Sequence, residues 1–163
     1  MLCRLAAEER TFLSEHFRLL EEKREGVSLA QLKDPALLPD FLEAVKKELG
    51  TDSTLAAASQ LIKRVGYLTV VPPLYTAAVF GKAMEMDFGE CFLVQHRQGD
   101  LWMPQLSLSD SSAIDLGEKE RHVRFGLFAK QLFSELAGVI QAVSAAASVP
   151  RGMISEIVAV YVY

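Results

Sequence analysis

The chain is poor in cysteine, in basic charge and in long apolar runs, and each shortage closes off a class of function. Two of its 163 residues are cysteines, Cys3 and Cys91. They form neither a CxxC pair nor a disulfide framework, which points to a reducing, cytoplasmic setting. The 17 Lys and Arg are outnumbered by 21 Asp and Glu, giving a net charge of -4. A nucleic-acid surface carries a basic excess or a basic face, so no nucleic acid is expected as a partner. The longest uncharged stretch, residues 65–81, contains Pro72 and Pro73. It falls short of the roughly 20 residues of a spanning helix, so no stable membrane insertion is expected and the stretch reads as buried core. Glu8, Glu9 and Arg10 interrupt any signal-peptide pattern at the start. There is no phosphate-binding glycine loop and no HExxH, GxSxG or Ser/Lys acylation motif. The carboxylates fall at no recognisable pair spacing, so no general acid or base can be nominated.

Half of the residues are hydrophobic and 23% are charged, an ordinary globular balance for one domain over residues 1–163. Leu5, Phe12, Leu13, Phe17 and Leu20 recur at helical spacing, predicting an amphipathic helix of about five turns that Gly26 ends. His16 sits beside this stripe with no partner at ligand spacing, so it reads as an edge or core histidine. Asp34-Pro35 and Pro39 mark a loop. Phe41, Leu42, Val45 and Leu49 then give a short helix stopped by Gly50, and Thr51, Asp52 and Ser53 offer N-caps for the next one. Leu55, Leu61, Ile62, Val65 and Leu68 form the next apolar face. Pro72-Pro73 are expected to break or kink it, with a central helical piece continuing from Leu74 to about Met84. Cys91 to His96 reads as a strand, Gln98-Gly99-Asp100 as a turn, and Leu101 to Leu108 as the partner strand, placed at an edge by Pro104. Residues 109–115 read as a polar loop. A long helix begins near Glu118, with Val123, Leu127, Leu132, Leu136, Val139, Ile140 and Val143 on its buried side, and Pro150 opens a last one. The resulting expectation is an α+β, predominantly helical domain: a bundle of about five or six helices with one β-hairpin.

Two groups of polar side chains could line a binding site. Arg121, His122 and Arg124, at the start of the long helix, bring together cationic groups that could hold an anion such as citrate or a carboxylate-bearing chelate. The plainer reading is a solvated helix face pairing with Glu118 and Glu120. Gln95, His96, Arg97 and Trp102 on the hairpin either wall a polar pocket or form an exposed strand face. Lys63-Arg64 and Lys82 read as surface ends of the apolar helix pair. Cys91 and His96 are five apart on one strand, which sends them to opposite faces, so no metal site is expected from them. On these residues alone, a binding or interaction module is favoured over an enzyme.

The stretch from Leu55 to Leu108 runs Leu-Ala-Ala-Ala-Ser-Gln-Leu-Ile-Lys-Arg, then Gly-Tyr-Leu-Thr-Val-Val-Pro-Pro-Leu-Tyr-Thr-Ala-Ala-Val-Phe, then the hairpin. It resembles the ferric-siderophore reductase (FhuF-like) family and the related C-terminal domain of the IucA/IucC-type siderophore synthetases. The order of elements is similar over roughly residues 50 to 163. The resemblance implies cytoplasmic iron–siderophore biology, with a ferric siderophore as ligand. In the reductases it also implies a [2Fe–2S] cluster held by a cysteine group near the C-terminus. Cys3 and Cys91 match those ligands in neither position nor spacing, and such a cluster needs four. The expectation is therefore a reductase relative without cluster ligands in this chain, with no cofactor unless a C-terminal cysteine segment is missing. The second reading is a non-catalytic accessory or dimerisation domain of siderophore biosynthesis. The apolar stretch Met153–Tyr163 would then mediate a homodimer, and its abrupt end suggests a chain cut short.

Overall fold

The computed structural model describes residues 2–108 and 110–162. Among these, five α-helices and nine short strands in three sheets form a mixed α+β fold. The expectation of a single β-hairpin is overturned by this sheet content.

The helices gather around one long element. Strand β1 (Leu2–Arg4) leads into α1 (Ala7–Phe17), and α2 (Leu38–Leu49) is followed by α3 (Thr54–Tyr75). The last two helices are α4 (Arg121–Ala147) and α5 (Arg151–Ala159). Helix α3 buries Ala57, Ala58, Leu61, Ile62, Val65, Leu68 and Val70, so most of its surface is apolar and other helices pack around it. Its start follows from local chemistry: Ser53 Oγ accepts the Ala56 amide at 3.1 Å. Gly50, at φ 64, closes α2 just before it.

Several sequence expectations are corrected here. Pro72 and Pro73 do not end α3, which runs on to Tyr75. Both prolines are buried, and a widened turn over Thr76–Phe80 follows the helix. Gly81, at φ 67, ends this turn, and Lys82–Met84 form strand β4 rather than more helix. Helix α1 stops at Arg18, which adopts φ 60, well before Gly26. Gly26 has a different role: a Cβ there would overlap the Leu93 carbonyl oxygen. Val123 and Leu127, placed on the buried side of α4, are 49% and 67% exposed. The buried stripe of α4 begins at Leu132. Lys82, read as a surface end, pairs with Glu9 at 2.8 Å and ties β4 to α1.

The hairpin lies where the sequence placed it, but it is one part of a larger sheet system. Strands β5 (Phe92–Val94) and β6 (Arg97–Gln98) turn through Gly99, at φ 62, into β7 (Leu101–Trp102) and β8 (Gln105–Ser107). The register is continuous from Phe92↔Ser107 to Gln98↔Leu101. Strands β2 (Leu19–Leu20) and β3 (Val27–Ser28) flank the base of the hairpin in the order β2-β8-β5-β3. Thus β8 is interior, not an edge, and Pro104 sits in the break before it, where no ladder donor is lost. The stretch read as a polar loop holds β9 (Ser112–Asp115), the middle strand of the sheet β1-β9-β4, while Ser109 lies outside the described residues. Helix α5 docks Ile154 and Val158 into the core. Its close approach to α3 needs Gly66, where a Cβ would sit 3.1 Å from Val158 Cγ2.

Two substitutions test this architecture. Gly26→Ala forces the β3–β5 pair apart and should cost about 1–3 kcal/mol, seen as a lower midpoint in urea unfolding. Ser53→Ala removes the α3 cap and should cost about 1 kcal/mol with an unchanged m-value.

Candidate functional site

The structure separates the two polar groups singled out in the sequence. On the hairpin, Arg97 makes three hydrogen bonds: to Glu48 Oε2 at 2.7 Å, to the Glu48 carbonyl at 3.0 Å and to the Asp100 carbonyl at 2.8 Å. It pins the hairpin to the last turn of α2, where a cation also meets the negative end of the helix dipole. Trp102 is buried at 2% exposure, and its indole N–H donates to Gln95 Oε1 at 2.6 Å. Gln95 and Trp102 therefore meet, but the indole faces the core rather than a pocket. His96 is exposed, and its carbonyl accepts the Met103 amide at 2.9 Å.

At the start of α4, Arg121 Nη2 donates to the Ala77 carbonyl at 2.9 Å and Arg124 Nη1 to the Asp115 carbonyl at 3.2 Å. These arginines satisfy carbonyls in the widened turn and at the end of β9. His122 is exposed beside them. Of the seven residues, Arg124 alone lines a described cleft. That cleft, about 820 Å³, lies between the segment from Met84 to Gly89 and the first half of α4. Met84, Met86, Phe88, Leu127 and Phe128 give it apolar walls. At its rim Lys33 pairs with Glu135 at 2.7 Å. A smaller cleft of about 330 Å³ lies beside α1, where Arg4, Arg10 and Lys23 face Glu21 and Asp110.

A third arrangement was missed in the sequence. Arg18, from the end of α1, lies with its guanidinium carbon 4.7 Å from the centroid of the Tyr67 ring, a cation–π contact. Arg64 and Tyr67 are one turn apart on α3. The Tyr161 ring meets Tyr67 edge-on, with centroids 5.8 Å apart. Arg64 at i and Tyr67 at i+3 were a readable signal of a shared face. Nothing in the sequence announced that Arg18 and Tyr161 would join them.

The donor set for iron is thin. Cys3 is half-buried in β1 and Cys91 is buried just before β5. Among the described residues, no three His, Cys, Asp or Glu side chains are placed to hold a metal ion. Two thiols, one in β1 and one just before β5, do not fit a [2Fe–2S] cluster, which takes four ligands. Burial, with the nearby carboxylates of Asp87 and Glu90, pushes the Cys91 thiol up to about 12. Among the described residues, no helix is long and apolar enough to cross a membrane.

The two thiols should therefore behave differently. In the native protein at mildly alkaline pH, Ellman's reagent should titrate Cys3 quickly and Cys91 only on unfolding, because thiolate is the reacting form. The folded state keeps the Cys91 proton to a higher pH than the unfolded chain does. Stability from this group is thus full below the ordinary thiol value and falls as pH rises toward about 12. Cys91→Ala should flatten that alkaline slope in unfolding measurements. Comparison with protein-family models, curated proteins and solved structures finds no match to the chain.

Proposed function

We propose that this chain is a binding protein for a ferric chelate, a relative of the ferric-siderophore reductases without their cluster ligands. The reading is supported by the resemblance carried by Leu55 to Leu108 and by one observation, the cleft beside α4. At about 820 Å³ it falls within the range of small-molecule sites. Its walls are apolar and deformable, since methionine adapts to irregular shapes. Arg124 belongs to the set first selected for anion binding; Lys33 is paired with Glu135, and Glu85 and Asp87 also line the cleft, so an iron(III) centre rather than a bare anion suits this lining. Leu127, 67% exposed on α4, is an apolar contact left open to a ligand.

In calorimetric titration, ferric citrate should bind and iron-free citrate should bind more weakly or not at all. Leu127→Arg, which obstructs the cleft from an exposed position, should weaken binding about tenfold or more, a loss of about 1.4 kcal/mol. Equal binding by the parent and the Leu127→Arg protein rules the cleft out.

A second reading has its own support: Val160 and Val162 are 73% and 47% exposed at the end of α5, near Met153 at 49%. These residues would form the dimer contact of an accessory domain. Tyr163, also assigned to that contact, lies outside the described residues. Light scattering should then report a dimer that Val160→Asp converts to a folded monomer; a parent protein that is already monomeric removes this reading.

A further inference from the structure

We infer that the smaller cleft, beside α1, binds a free α-amino acid with an aliphatic side chain, with Arg4 and Arg10 on its carboxylate and Glu21 and Asp110 on its ammonium. The cleft encloses about 330 Å³, at the small end of small-molecule sites, and shares no lining residue with the cleft beside α4. Its lining is of three kinds: the cations Arg4, Arg10 and Lys23, the carboxylates Glu21 and Asp110, and an apolar part that includes Leu13, Leu19 and Leu108. The unlike charges share one cleft but do not meet. Among the described residues Arg4, Arg10, Glu21 and Asp110 enter no ion pair, and Lys23 pairs at 3.8 Å with Glu90, which is not part of the lining. Three of the four unpaired groups are positioned by contacts of their own. Arg10 Nη1 donates to the Leu5 carbonyl at 2.9 Å, Glu21 Oε1 accepts the Thr11 hydroxyl at 3.2 Å, and Asp110 Oδ1 accepts the Ser112 amide at 2.9 Å. The fourth, Arg4, is placed by the sheet, where it sits opposite Ser112 in the β1–β9 ladder. A guanidinium has five N–H donors and a carboxylate two oxygens, so each group keeps bonding capacity for a ligand. All are reachable: Arg4, Glu21 and Asp110 are exposed and Arg10 is half-buried.

The lining selects the ligand. A simple anion would satisfy the arginines but meet two carboxylates, and a simple cation would meet the reverse. A molecule carrying both charges answers both sets. With Lys23 turned to Glu90, two cations face two carboxylates, so the lining is neutral overall and suits a neutral zwitterion. Hydrogen bonds from Ser112 hold the Asp110 carboxyl below its ordinary range, so it is ionised at neutral pH. Arginine receives a carboxylate through paired N–H donors, and an ammonium has three donors to share between Glu21 and Asp110. The ligand's side chain then lies on the leucines, of which Leu5, Leu13 and Leu19 are buried and Leu20 and Leu108 are half-buried. The four charged groups come from the end of β1, from α1, from the segment after β2 and from the segment before β9. They are fixed before the ligand arrives, which lowers the ordering cost of binding.

The test is calorimetric titration with leucine, with isocaproate (leucine without its amine), isopentylamine (leucine without its carboxylate) and glycine as controls. Leucine should bind in a saturable way. Isocaproate and isopentylamine, each lacking one charge, should bind about tenfold more weakly or worse. Glycine should also bind more weakly, having nothing to lay on the leucines. Arg4→Gln and Glu21→Gln, both at exposed positions, should each weaken leucine binding about tenfold. Both should leave the urea midpoint where it is, since exposed charges add little to stability. The inference is overturned if leucine does not bind, if any of the three controls matches it, or if either variant binds it as the parent does. Leu127→Arg should leave leucine binding intact, so failure here is read apart from failure at the cleft beside α4.

Discussion

Helix α3 is buried along most of its length, with only Leu55 and Lys63 exposed, and the other helices are arranged to keep the rest of it from water. Such a helix has little solvent face, so neighbours must approach from several directions. Helices α1, α2, α4 and α5 all do so, and the widened turn after Pro72 and Pro73 brings the chain from this core into the sheet at β4. The buried Val65, Leu68 and Val70 have no exposure at all. Each side chain of this kind contributes about 1.5–3 kcal/mol on leaving water, which outweighs the strain of two prolines in one turn.

Around this core the arginines do similar work. Arg10 donates to the Leu5 carbonyl at 2.9 Å, Arg97 to the end of α2, Arg121 to Ala77 and Arg124 to Asp115. Each closes a backbone carbonyl left open where an element ends, so each cation has a structural reason to be where it is. Arg18 and Arg64 are different. Arg18 lies against the Tyr67 ring and the Met103 sulfur, and among the described residues neither arginine has an ion-pair partner.

The parts of the fold that could be read in the sequence are those set by local chemistry. Gly50 and Ser53 marked a helix end and a helix start because a left-handed residue and a side-chain cap act within one turn. Gln98-Gly99-Asp100 marked the hairpin because a tight turn needs a residue at positive φ. Strands β1, β2, β3, β4 and β9 escaped because they are two to four residues long and take their identity from distant partners. Met84 looked like the tail of a helix and Ala113 like loop, yet the two sit opposite each other in one ladder. Of the candidate site residues, Arg124 alone lines a described cleft. The sequence could not show that Trp102 turns inward toward Gln95, nor that a helix-capping arginine at 18 would stack on a tyrosine at 67.

The sheet β1-β9-β4 joins Leu2 to Ile114, and this pairing orders events in time. During synthesis β1 emerges first and finds no partner until Ser112–Asp115 has followed. Helices α2 and α3 can form and pack long before, since their contacts are near in sequence and carry little loop-closure cost. Helices α2 and α3 can therefore pack together while an unpaired strand waits at the edge, and α4 and α5 close over them only after β9 has emerged. For that interval the nascent chain presents an open backbone ladder to any neighbour.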